Sequence, residues 1–163
     1  MSELKHAVDI AMMKIARAPA QLYSLGLGSC IGVAIYDPLT KVGGLIHVLL
    51  PFSEGFDLSY HPRTKFADSG IADLVEALIK NGASRSRMKA KMAGGASMFV
   101  IKHTSDVHEV GKRNIYSSRE TLKRLGIELI AHDTGGNKGR TVIFDLETGQ
   151  MTIKTVDRAV KVI

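Results

Sequence analysis

The sequence predicts a single layered α/β domain over residues 1–163, with mixed β-sheet structure and two main helices. Three observations carry that prediction. Apolar, β-branched runs bounded by Gly, Pro or Asp recur at strand length; two segments change to helical spacing; and the two kinds of segment are interspersed along the chain. Of the 163 residues 45% are hydrophobic and 23% charged, which suits one soluble domain with a sizeable core and argues against a disordered or membrane-spanning chain.

Taken in order, the first twenty residues, MSELKHAVDIAMMKIARAPA, interrupt their apolar positions with Lys5, Asp9, Lys14 and Arg17, so no signal-peptide core is present. Cys30 is the only cysteine, which rules out an internal disulfide and fits a cytoplasmic protein with a reduced thiol. QLYSLGL, IGVAIYD and VGGLIHVLL read as strands. Asp37-Pro38-Leu39-Thr40 has turn chemistry, so IGVAIYD and VGGLIHVLL should form a hairpin. After Pro62, Ala67, Ile71, Leu74, Val75, Leu78 and Ile79 recur at helical spacing, and Asn81-Gly82 supplies the stop. RMKAKMAGG reads as a strand. A second helix is expected from about Ser105 or Asp106 to Leu125, with Val107, Val110, Ile115, Leu122 and Leu125 inward and Gly126 just past its end. Strands follow in IELIAHD, TVIFDLE and QMTIKTV, the last two joined at Glu147-Thr148-Gly149.

The hairpin gives Cys30 a neighbour. A two-residue loop puts Cys30 opposite His47, and a four-residue loop makes them diagonal neighbours on one face, because the side-chain period is two; an odd loop would separate them. Gly32, Ala34 and Tyr36 share that face, and the small ones would leave room for a substrate. A thiol beside an imidazole is the minimal nucleophile and base pair, and a close pair is expected to share its proton as thiolate and imidazolium. Ser24 is the natural orienter of the imidazole, provided that the chain bends at Gly26 or Gly28. The backbone N–H groups around Gly28, Ser29 and Cys30 are candidate oxyanion donors. Free cysteine is otherwise a commonly buried residue, so the pairing, not Cys30 alone, carries this reading.

Other motifs point elsewhere or nowhere. GLGSCIG has Ile31 where a dinucleotide fingerprint needs glycine, and DTGGNKGR lacks P-loop spacing. His103, Asp106 and His108 imitate a metal site without an HExxH or paired CxxC pattern, so a solvated loop and no metal are expected. The net charge of +6 favours acidic partners, but no clustered aromatics on a basic strand support nucleic-acid binding. In SRSRMKAKM, a strand would align Arg85, Arg87, Lys89 and Lys91 as a stripe of cations, either a solvated edge or a surface that steers an acidic substrate.

SLGLGSCIGVAIYDPLTKVGGLIHVLLP resembles the signature segment of the chemoreceptor glutamine deamidases, the CheD family, and the likeness continues through KFADSGIADLVEAL, GGASMF, GKRN and DTGGNKGR. The resemblance implies that Cys30 is the nucleophile, His47 the general base and Ser24 the third member, standing where the family often has threonine. It implies hydrolysis of selected glutamine side chains to glutamate on cytoplasmic helices of methyl-accepting chemotaxis receptors, with no cofactor and no membrane insertion. It further implies an architecture similar to deamidating-toxin-like cysteine hydrolases. As an alternative it implies a non-catalytic adaptor that binds and stimulates a CheC-type phosphatase, with Phe99 in the contact.

Overall fold

The computed structural model describes residues 4–97 and 109–163. These form two five-stranded sheets and two α-helices. The strands are β1 (Leu4–Ala7), β2 (Met13–Arg17), β3 (Ala20–Leu27), β4 (Ile31–Asp37), β5 (Val42–Val48), β6 (Lys89–Gly94), β7 (Glu128–Thr134), β8 (Arg140–Asp145), β9 (Met151–Thr155) and β10 (Val160–Val162); the helices are α1 (Ala67–Lys80) and α2 (Val110–Arg124). An outer sheet has the order β1-β3-β8-β9-β10 and a central sheet β2-β5-β4-β6-β7. Both are mixed: β1 runs parallel to β3 and β6 parallel to β7, while the remaining pairs are antiparallel.

Burial explains why β4 and β5 read as unbroken apolar runs. Ile31, Val33 and Ile35 pack with Ile71, Leu74, Val75 and Leu78 of α1, whereas Ala34 and Leu45 face Leu22, Leu27, Val142 and Phe144 of the outer sheet. The central sheet is therefore covered on both faces, and its strands need no polar side. The outer sheet has one solvated face, and β3 and β8 show the alternation that this demands. A mixed sheet expected from the strand order is thus two stacked sheets with helices on one side.

The hairpin closes through Pro38 to Lys41, with Asp37 paired to Val42 and Gly32 to His47, the four-residue case. Asp37 organises it. Its carboxylate is fully buried, accepts the amides of Leu39 and Ser84, and is held by the Arg87 guanidinium at 2.7 Å. Burial would raise its pKa, but the Arg87 contact and these amides hold it well below the usual carboxylate range.

That same attachment overturns the cationic stripe. Pulled toward Asp37, Arg85–Arg87 curls into a turn of 3-10 helix instead of extending, so only Lys89 and Lys91 lie on a strand. Arg85 pairs with Glu76 and Lys89 with Glu128, while Lys91 is only 8% exposed and donates to the carbonyls of Gly149 and Ile163. These four cations therefore do not line up as one stripe.

The second helix packs with Ile115, Leu122 and Leu125 toward the core as expected, and its buried face extends to polar residues that apolar spacing did not mark. Its described part begins at Val110, and its buried face is Gly111, Asn114, Ser117, Ser118, Thr121 and Leu122, with Ile115 and Leu125 at the margin. Val107 and the start expected at Ser105 or Asp106 lie outside the described residues. Strands β1 and β2 were not evident in the first twenty residues because each is short, half-exposed and mixed in polarity.

Asp37→Ala should lower the unfolding free energy by about 2–3 kcal/mol, because buried amides lose their acceptor. Arg87→Ala should cost less, its side chain being 40% exposed. Because the folded pKa is depressed, the Asp37 contribution is complete above the unfolded value of about 3.9 and disappears as pH falls through the folded one. Urea unfolding at pH 7 and at successively lower pH measures both effects; equal costs for the two variants, or an Asp37 effect unchanged by acid, would contradict this role.

Candidate active site

The chain passes from the outer to the central sheet through Gly28-Ser29-Cys30. Strand β3 shifts register between Ser24 and Leu27, with Gly26 at φ +64°, so Ser24 and Leu27 are buried while Leu25 is exposed. This is the bend that bringing Ser24 to the site requires. Cys30 precedes β4 by one residue. Since Gly32 pairs with His47, Cys30 is the diagonal neighbour of His47 on the face turned toward the outer sheet.

The crossing is clamped through its carbonyls. Ala96 N–H donates to Gly28 O at 2.8 Å, Asn114 Nδ2 to Ser29 O at 2.8 Å, and Gly95 N–H to Cys30 O at 2.8 Å. Gly94 has φ +115°, and a Cβ there would stand 2.2 Å from Cys30 O, so only glycine allows this approach. Arg140, buried at the start of β8, donates to Gly94 O and Gly135 O and holds the end of β6 in turn. Among the described residues the N–H groups of Gly28, Ser29 and Cys30 have no other residue as acceptor.

His47 is 2% exposed. Its Nδ1 lies 3.4 Å from Val8 O, so the ring proton belongs on Nδ1 and Nε2 is left as the basic nitrogen; Nε2 is buried and has no hydrogen-bond partner among the described residues. The Ser24 hydroxyl donates to the same Val8 carbonyl at 2.8 Å. Ser24 and His47 therefore share an acceptor and do not hydrogen-bond each other. The N-terminal segment completes the cage, with Ala11 N–H donating to His47 O and His47 N–H to Met12 O.

Burial sets the protonation state. Cys30 is 7% exposed, and desolvation pushes its thiol pKa up, tempered by its own backbone N–H. Desolvation pushes His47 down, against smaller opposing contributions from Val8 O and Asp9. Both shifts favour the neutral thiol and the neutral imidazole, against the expected thiolate and imidazolium. The space expected beside Gly32 is also taken: a Cβ there would meet Leu27 at 3.2 Å and Val142 at 3.4 Å, so the small residue admits the outer sheet, not a substrate. Phe99 and the His103, Asp106 and His108 group lie outside the described residues. Among the described residues no cluster of three or more His, Cys, Asp or Glu could hold a metal ion, and no helix is long and apolar enough to cross a membrane.

A family model described as CheD chemotactic sensory transduction matches residues 49–155, beginning two residues past His47. Proteins named probable chemoreceptor glutamine deamidase CheD align with nearly the whole chain. The one from Moorella thermoacetica is 52% identical over 96% of this chain and 93% of its own length. That from Caldanaerobacter subterraneus subsp. tengcongensis is 45% identical over 96% of each. The chain belongs to the CheD family. A Methanosarcina acetivorans relative, probable chemoreceptor glutamine deamidase CheD 1, is 50% identical over 96% of the chain and 95% of its own length. The crystal structure of a Neisseria meningitidis DUF152 protein shares the fold at TM-score 0.54 and 10% identity, covering 88% of this chain and 75% of that one.

Within this CheD-family chain, the structure brings together Ser24, Cys30 and His47 and the Gly28 and Ser29 amides, and adds contributors that sequence reasoning missed. Val8 acts through a carbonyl, which has no side-chain signature. Asn114 sits inside the GKRN motif, but a lone polar residue on a helix reads as solvated. Iodoacetamide alkylation of Cys30 should therefore titrate above the ordinary cysteine value of about 8.5, with a rate at pH 6 no greater than that of a free thiol. A rate plateau near pH 6 would show an ion pair and overturn the neutral-pair assignment.

Proposed function

We propose that this CheD-family chain hydrolyses the side-chain amide of selected glutamines on chemoreceptors, with Cys30 as nucleophile and His47 as general base. The observation that carries the reading is the buried His47 Nε2, without a hydrogen-bond partner among the described residues and on the same sheet face as Cys30, in a chain whose relatives are named for this activity.

As Cys30 Sγ bonds to the carboxamide carbon, its proton passes to His47 Nε2; the carbonyl oxygen takes the negative charge and is received by N–H groups of Gly28, Ser29 and Cys30. Collapse breaks the C–N bond, and His47 returns the proton to the leaving nitrogen, releasing ammonia. Water then attacks the thioester carbonyl, with His47 again accepting a proton; the C–S bond breaks, His47 returns that proton to Cys30 Sγ, and glutamate leaves with the thiol and neutral imidazole restored. A neutral imidazole is ready to act as base, and the thiol need ionise only as it attacks. Ser24 steadies the ring through Val8 O.

The test is incubation with a chemoreceptor cytoplasmic fragment and peptide mapping of glutamine-to-glutamate conversion. Cys30→Ala should abolish it with the fold intact, and His47→Ala should lose nearly as much, because members of one catalytic set are not additive. Ser24→Ala should cost about 10- to 100-fold, as expected for a group that orients another. Because His47 must be neutral and its pKa is lowered, the acid limb of kcat/KM should fall below the ordinary imidazole value of about 6.5. Conversion that persists in Cys30→Ala would sink the mechanism; binding and stimulation of a CheC-type phosphatase by an inactive wild-type chain would instead favour the adaptor role.

A further inference from the structure

Asn114 is fully buried one turn into α2, and its amide nitrogen divides its two hydrogens between Ser29 O at 2.8 Å and Leu49 O at 3.0 Å. Two carbonyl acceptors leave no doubt which end of the amide faces them. Among the described residues its Oδ1 is buried with no partner, as is Ser118 Oγ one turn further along the helix. Both of its donor hydrogens are spent on backbone carbonyls of the crossing and of the residues after β5, so the donor end is what ties α2 to the site.

The geometry points to Asn114 as a positioning residue for the oxyanion site, an inference that rests on the Cys30 acyl-transfer reading. The Ser29 carbonyl and the Cys30 N–H belong to one planar trans peptide and point in opposite directions. Holding Ser29 O therefore aims Cys30 N–H. Because the same Asn114 nitrogen also holds Leu49 O, two residues past His47, the peptide plane is fixed relative to the strand that carries the base. Ala96 N–H, by holding Gly28 O, does the same for the Ser29 N–H. Two amides are thus oriented from behind, by donors that never touch the substrate.

The test separates reactions of Cys30 that develop an oxyanion from one that does not. Acylation by p-nitrophenyl acetate passes through a tetrahedral oxyanion as the C–S bond forms and p-nitrophenolate leaves; alkylation by iodoacetamide displaces iodide at a saturated carbon and forms none. Both act on the folded chain without a receptor. In Asn114→Asp, which conserves volume but removes both donors, acylation should slow by about 30-fold or more while alkylation stays within about threefold of wild type. Asn114→Ala should show the same selective loss if the Asp variant fails to fold, with thermal unfolding confirming the native state. Receptor deamidation measured alongside should fall in kcat with KM little changed.

Equal loss of acylation and alkylation would show a merely structural role, and wild-type rates for both would show no role; either overturns the inference, as does a wild-type Cys30 that takes up no acyl group. A selective loss of acylation together with no deamidation by wild type would uphold the role of Asn114 and reject the receptor substrate instead.

Discussion

Three consecutive carbonyls, those of Gly28, Ser29 and Cys30, are each held by a donor from another part of the chain, and the site depends on that clamp. Gly95 and Ala96 supply two donors from the end of β6, and Asn114 supplies the third from α2. The chain must cross between sheets here, and an unclamped crossing would leave the nucleophile on a free loop. Held as it is, Cys30 enters β4 in the register that sets it beside His47, while among the described residues the amide hydrogens of Gly28, Ser29 and Cys30 are given to no other residue. The demand propagates outward: Gly94 must lack a side chain to approach Cys30 O, and Arg140 must be buried to hold Gly94.

Stacking two sheets sets the electrostatics. Ser24 comes from the outer sheet and His47 from the central one, and the segment after β1 lays Val8 O between them. Excluding water there shifts both titrating groups toward their neutral forms. A neutral pair suits an enzyme acting on a protein amide: the thiol is protected from indiscriminate oxidation, and the charge separation of attack falls beside preorganised amide donors. Elsewhere the cations that resembled a substrate-steering stripe are engaged in the scaffold, Arg87 with the hairpin turn at Asp37 and Lys91 with carbonyls of the β8–β9 turn and Ile163.

Much of this was legible in the sequence because it rests on period and turn chemistry. The period of two placed Cys30 and His47 on one face for either even loop, and Asp37 announced the turn that it caps. Double burial made IGVAIYD and VGGLIHVLL stand out. What stayed hidden lacks such signatures. LKHA and MKIAR are too short and too mixed in polarity to announce β1 and β2. The inward face of α2 also carries polar residues that serve carbonyls of the active-site loop and of Pro51, so apolar spacing found Ile115, Leu122 and Leu125 but not Asn114, Ser117 and Ser118. Gly32 and Ala34 were read as open space because nothing in the chain reveals that a second sheet lies above them.

The central claim, that Cys30 forms a covalent acyl intermediate with a glutamine side chain under control of His47, is tested most directly by rapid-quench intact-mass analysis during turnover of a receptor fragment. The account predicts a transient species with the mass of protein plus substrate less one ammonia, mapped to Cys30 and absent in His47→Ala. Steady glutamate formation with no such species at any time point, or an adduct on another residue, would contradict it.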